Sequence, residues 1–173
     1  YIEHGLMSVN PNVIKEMEIL FTYLQKKNTD PSKYNLHFKE LFVSQFNLLE
    51  DFEKLIGEEI KKAKKGLPSL IRIKVNNIEE PHFINLLYKA SEAGVKVELI
   101  IRSICCLIPE KEKISANITV KRIVDKYLEH TRLFIFGTDE TALVAMGSSD
   151  LMIRNLRRRI EVCIHIRDGN CRE

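Results

Sequence analysis

Two polar side chains, His130 and Arg132, stand two residues apart in YLEHTRLFIF (residues 127–136), at the mouth of an apolar run. An imidazole exchanges a proton near neutral pH. A guanidinium stays charged and grips an oxyanion through a fork of N–H donors. The pair suits a site that holds an anion and moves a proton. Residues two apart on a strand point to the same side, so on this reading His130 and Arg132 face one space. Ligands of α/β sheets bind at strand ends of this kind. The plainer reading is a surface histidine beside a solvated arginine, and the residues alone leave both standing.

Other stretches could contribute to the same chemistry. Arg102 closes the apolar run VKVELIIR, where a cation either meets an anion or simply reaches for solvent. In MGSSDLMIRN (146–155) a strand pattern ends at Gly147, hydroxyl residues including Ser148 follow, and a helix is expected from about Asp150. Free N–H groups at a helix start bind phosphate, although capping by Ser149 or Asp150 is the commoner arrangement. Arg154, Arg157, Arg158 and Arg159 form a basic cluster before Glu161. Arg159 and Glu161 fall on the polar side of the alternating run RRIEVCIHI, from which a carboxylate could orient an imidazole. KKAKK (61–65) complements a helix C-terminus. His4, His37, His82 and His165 have no ligand spacing and receive no role.

The elements that must position these groups follow from hydrophobic periodicity. YIEHGLMSV alternates as a strand would. NPNVIKEMEILFTYLQKK reads as a helix with Asn10 as its cap and Pro11 in its first turn. NTDPSKYN is a turn-rich connector. LFVS reads as a strand, and FNLLEDFEKLIGEEIKKAKKG as an amphipathic helix stopped by Gly66. SLIRIKV, EEPHFINLLYKASEAG and VKVELIIR make a βαβ unit and so a parallel strand pair. ITVKRIV, RLFIF, TALVAMG and RRIEVCIHI are further strands, with SDLMIRNL a short helix. The expected organisation is a tail of a preceding domain over 1–27, a connector over 28–40 and an α/β domain over 41–173.

Composition narrows the classes. The chain has 173 residues, 45% of them hydrophobic, enough for a core. A net charge of +3 provides no broad field for nucleic acid, and no nucleic-acid partner is expected. Cys105, Cys106, Cys163 and Cys171 lack zinc or disulfide spacing, so reduced thiols and a cytoplasmic location are expected. No apolar run approaches the roughly 20 residues of a membrane span, which leaves only peripheral membrane contact open. The chain starts at Tyr1 rather than Met and is expected to be a fragment.

His-x-basic with a Gly-Ser turn resembles the phospholipase D superfamily in degenerate form, with arginine for lysine and Gly137 where an aspartate is usual. Longer words say more. GLPSLIRIKVNN, LYKASEAGVKVELIIRSICCLIP, ISANI, IVDKYLEHTRLFIF, GSSDLMIRNL and RRIEV resemble, in this order, the C-terminal catalytic region of bacterial polyphosphate kinase. That family has a phospholipase D-like fold, so the resemblance implies a mixed β-sheet flanked by helices. It also implies transfer of the ATP γ-phosphate to polyphosphate through a phosphohistidine upstream of Tyr1. Tyr1 and Arg102 match nucleotide contacts, and His130 matches the second active-site histidine. Glu161 matches a carboxylate that would orient His130, with Glu3 doing the same for the upstream histidine. Arg132, Ser148 and Arg159 would support. ATP and ADP, polyphosphate, the rest of the parent chain and further copies of it are the implied partners. Magnesium would be held by ligands outside this stretch, and the stretch alone would be inactive. Ser103 and Leu151 depart from the glycine and tryptophan usual in the family. A phosphodiesterase or nuclease half-site, or a noncatalytic phosphate-binding or assembly module, is the alternative.

Overall fold

The computed structural model describes residues 3–26 and 30–171. Helix α1 (Pro11–Leu24) begins where its cap predicts: the Asn10 side chain accepts from the Asn12 N–H at 2.9 Å, and Pro11 takes the first helical position. Strand β1 (Leu41–Val43) leads into α2 (Leu48–Lys64), which carries Glu50 and Asp51 in its first turn and Lys61, Lys62 and Lys64 in its last, matching its dipole. Strand β2 (Leu70–Val75), α3 (Pro81–Glu92) and β3 (Lys96–Ile101) form the βαβ unit, with β2 and β3 parallel. Then come β4 (Ile118–Lys121), β5 (Arg132–Phe136), β6 (Leu143–Gly147), α4 (Ile153–Arg157) and β7 (Val162–Ile166).

The strands form one seven-stranded sheet in the order β1-β7-β6-β5-β2-β3-β4. The β2-β3 and β3-β4 pairs are parallel and the others antiparallel. Alternation sends Ile71, Ile73, Val75, Val97, Leu99, Ile101, Phe134 and Phe136 to one face, where Leu48, Phe52 and Ile56 of α2 and Phe83 and Leu87 of α3 cover them. Phe52 is the hub of this core, with ring centroids 5.2, 4.8 and 5.3 Å from Phe42, Phe134 and Phe136. On the other face Val13, Leu20 and Tyr23 of α1 pack with Phe38, Leu41, Val43, Val162 and Ile164 over the β1-β7 side. The Glu16 carboxylate holds the connector there, accepting from the N–H groups of Lys39, Glu40 and Leu41 at 2.8–3.0 Å. The mixed sheet between helices is the architecture expected. Among the described residues no helix is long and apolar enough to cross a membrane.

Three local expectations are corrected. Residues 3–9 run without regular structure rather than as a strand. Strand β7 starts at Val162, so Arg159 and Glu161 precede it, and its supposed polar side carries Cys163, which is fully buried in the main core. Burial pushes the Cys163 thiol up to about 12, leaving it inert. Helix α4 starts only at Ile153 after Met152, so neither Ser149 nor Asp150 caps it. The boundary expected between 27 and 28 lies outside the described residues.

Gly147 owes its identity to strand spacing. A Cβ there would stand 2.2 Å from the Val162 carbonyl oxygen and 2.5 Å from the Cys163 sulfur. Gly147→Ala is therefore expected to lower the unfolding free energy by about 1–3 kcal/mol, as overpacking does, measured by urea denaturation of the purified chain.

Candidate functional site

The strand pairings gather one set of termini. The parallel β2, β3 and β4 finish together, and the antiparallel pairings Lys74↔Leu133, Arg132↔Gly147 and Gly147↔Cys163 bring the starts of β5 and β7 and the finish of β6 to the same end. Asn76, Arg102, His130, Arg132, Ser148, Asp150 and Glu161 thus meet at one edge, although the chain spreads them over 86 positions from 76 to 161.

Asp150 lies at the centre of this edge. Its side chain is 5% exposed and accepts five hydrogen bonds: from the N–H of Asn76 at 2.8 Å, the N–H and side-chain amide of Asn77 at 3.3 and 3.2 Å, and Nε and Nη2 of Arg132 at 3.3 Å each. Arg132 is therefore not at the mouth of a shared space with His130. Its side chain is 10% exposed and turned inward, while its Nη1 donates to the His130 carbonyl at 2.8 Å. The reason is register: Arg132 shares the face of Phe134 and Phe136, which is the covered one, and His130 precedes the strand. A cation on that face needs a carboxylate, and Asp150 supplies it.

Arg102 stands half-buried just past β3. Its Nε donates to the Asn76 side-chain oxygen at 2.6 Å and its Nη1 to the Glu129 carbonyl at 2.8 Å. His130 is 40% exposed, and its Nδ1 lies 2.7 Å from Oε1 of Glu3. Next to it His4, given no role above, meets the Thr131 hydroxyl at 2.8 Å. Glu3, expected to orient the upstream histidine, contacts His130 itself, while Glu161 accepts from the Ser148 hydroxyl and the Asn155 amide, each at 2.6 Å. Ser148 is the support of Glu161. Tyr1 lies outside the described residues.

The basic cluster divides. Arg157 donates through Nε and Nη2 to Glu80 at 3.1 and 2.7 Å, tying α4 to the buried cap of α3. Arg154, Arg158 and Arg159 are exposed, and Arg159 contributes its carbonyl to Gln45 at 3.0 Å. Leu151 is fully buried. Ser103 is exposed and donates its N–H to the Asn76 carbonyl at 2.8 Å. A cavity of about 1170 Å³ lies between the connector and α2, but neither His130 nor Arg102 lines it, so the chemistry stays at the sheet edge.

Asn76, Asn77, Lys74 and Glu129 escaped the sequence reading. The signal was the KVNN word: two amides directly after a buried strand have their backbone and side-chain donors to satisfy.

A mixed seven-stranded sheet between helices, with imidazole, guanidinium and carboxylates collected at one edge, makes this an α/β domain with its candidate site at the sheet edge. The profile of the polyphosphate kinase C-terminal domain 2 matches residues 41–173. The chain belongs to the polyphosphate kinase family. It is 40% identical over 173 residues to a polyphosphate kinase of Prochlorococcus marinus (strain MIT 9313), covering 100% of this chain and 24% of that protein. It is 37% identical over 173 residues to the Vibrio cholerae polyphosphate kinase, with the same coverage, 100% and 24%. The crystal structure of polyphosphate kinase from Porphyromonas gingivalis superposes with a TM-score of 0.87 at 37% identity, covering 96% of this chain and 25% of that one. The chain therefore spans about a quarter of the length of the relatives it matches. NucT from Helicobacter pylori shares the fold alone, at 14% identity and a TM-score of 0.52 over 76% of this chain and 86% of that one.

Asp150→Ala strands Arg132 without its counter-ion and is expected to cost about 3–5 kcal/mol in chemical denaturation. Adding Arg132→Met to that variant should cost far less than Arg132→Met costs in the parent, because the pair is one coupled unit.

Proposed function

We propose that this chain is the part of a polyphosphate kinase that supplies the second histidine and the phosphate-gripping arginine of a reversible transfer between ATP and polyphosphate. The observation that carries the reading is the Glu3–His130 contact at 2.7 Å next to Arg102. In the imidazolium form Nδ1–H donates to the Glu3 carboxylate, and Nε2–H is the donor proposed to meet a phosphate oxygen. A guanidinium has five N–H groups. Arg102 gives one from Nε and one from Nη1 to Asn76 and Glu129, which fixes the fork while leaving donors for phosphate oxygens.

In the proposed reaction an upstream histidine nitrogen attacks the γ-phosphorus of ATP. The bond to the β–γ bridging oxygen breaks, and ADP leaves with that electron pair. The phosphoryl group then passes from the histidine to a terminal oxygen of polyphosphate. Such transfers depend on positioning and charge neutralisation more than on covalent help. Arg102 neutralises charge on the phosphate oxygens. His130 places a proton or hydrogen bond on an oxygen that gains charge as the bond to phosphorus breaks. Magnesium, when bound with the nucleotide, would supply charge neutralisation on its phosphates. The described residues include no group of three or more His, Cys, Asp or Glu fit to hold it, so no step here is routed through it. Without the upstream histidine this stretch alone is read as inactive.

The test uses the full-length parent enzyme. His130→Ala should lower turnover in ATP-dependent polyphosphate synthesis by about 10²–10⁴-fold, and turnover near the parent value would refute the role. Arg102→Ala should raise KM for ATP by about tenfold or more, the loss of a charge-assisted contact, measured in the same assay.

A further inference from the structure

Three successive carbonyls around the active-site candidate each receive a cationic side chain. Arg102 donates to Glu129 O at 2.8 Å, Arg132 to His130 O at 2.8 Å, and Lys74 to Thr131 O at 3.3 Å. Arg102 and Arg132 already have their accounts as phosphate grip and buried ion pair. Lys74 has none. It sits near the end of β2, paired with Leu133 beside the start of β5, and its ammonium also meets the Glu129 carboxylate at 2.7 Å. Both side chains are largely shielded, at 17% and 20% exposure, which sets this pair apart from solvent-screened ion pairs such as Lys54–Glu50. Lys74 therefore clasps the residue before His130 by its side chain and the residue after it by its carbonyl.

We infer that Lys74, acting through Glu129, is a positioning residue for His130. The inference rests on His130 being an active-site group. Residue 130 precedes β5 and lies outside that strand's ladder, so such clasps contribute to its placement. The ammonium neutralises Glu129, and the three contacts set where the imidazole stands relative to Arg102. Lys74 needs no contact with substrate in this scheme, so substrate affinity should be largely spared while turnover suffers.

The experiment is a kinetic cycle in the full-length parent enzyme with Lys74→Met, Glu129→Gln, their double variant, Lys74→Arg and His130→Ala. Misplacement of a reacting group by an ångström costs up to about 10²-fold. Lys74→Met and Glu129→Gln should each lower kcat about tenfold or more, with KM for ATP within about threefold of the parent. The double variant should be no worse than either single, and Lys74→Arg should recover to within about threefold of the parent. A Lys74→Met enzyme with kcat within about twofold of the parent, or with its loss mainly in KM, overturns the inference while leaving the reading of His130 intact. If Lys74→Met does not fold, Glu129→Gln decides: parent-like kcat overturns the inference, and a selective kcat loss with Lys74→Arg active supports it. A near-normal His130→Ala enzyme would instead show that the reading of the site has failed, and the inference with it.

Discussion

The edge of the sheet depends on one buried ion pair. Removing a carboxylate and a guanidinium from water is expensive, and their mutual attraction offsets that cost only when the remaining lone pairs are also satisfied. Asp150 meets the condition through three further donors, two backbone N–H groups and one amide, all from Asn76 and Asn77. The exit of β2, the start of β5 and the segment after β6 are thereby pinned to a single side chain. Backbone contacts extend the same knot: the Leu151 N–H donates to the Asn77 carbonyl at 3.1 Å, and the Leu151 carbonyl accepts from Glu79 and Glu80 at 2.9 and 3.0 Å.

The site groups hang from that knot at one remove. Asn76, held by Asp150 through its N–H, orients Arg102 through its side-chain oxygen. Arg132, held by Asp150 through two nitrogens, uses the third to hold the His130 carbonyl. The imidazole and the guanidinium proposed to act on phosphate thus share one reference point without touching Asp150. A transfer that relies on alignment benefits from such a frame, because displacement of either group is resisted by buried, fully bonded neighbours.

Helices cover the sheet unevenly, and this explains several residues that pattern reading assigned elsewhere. One face is sealed by α2 and α3, so any residue in phase with Phe134 is buried, Arg132 included. The same seal covers Cys163, which together with the Val162 carbonyl of the paired strand leaves room only for glycine at 147. The Glu80–Arg157 pair does for α3 and α4 what Asp150 does for the strands, joining the buried N-cap of α3 to the last turn of α4.

The sequence by itself determined the elements and their order, because helical and strand periodicities, the Asn10 cap and the Gly66 and Gly94 stops are local properties of the chain. It also marked Arg102, His130 and Glu161 as groups of interest through their place in recognisable words. It could not say which carboxylate serves which partner. Glu3 and Glu161 lie 127 and 31 positions from His130, and only the folded chain puts the far one at 2.7 Å. Nor could alternation alone show that Arg132 faces inward, since one face of a strand becomes the buried one only when helices pack on it. Asn76, Lys74 and Glu129 stayed silent for the same reason: each acts through a partner that the tertiary structure brings from another strand or loop.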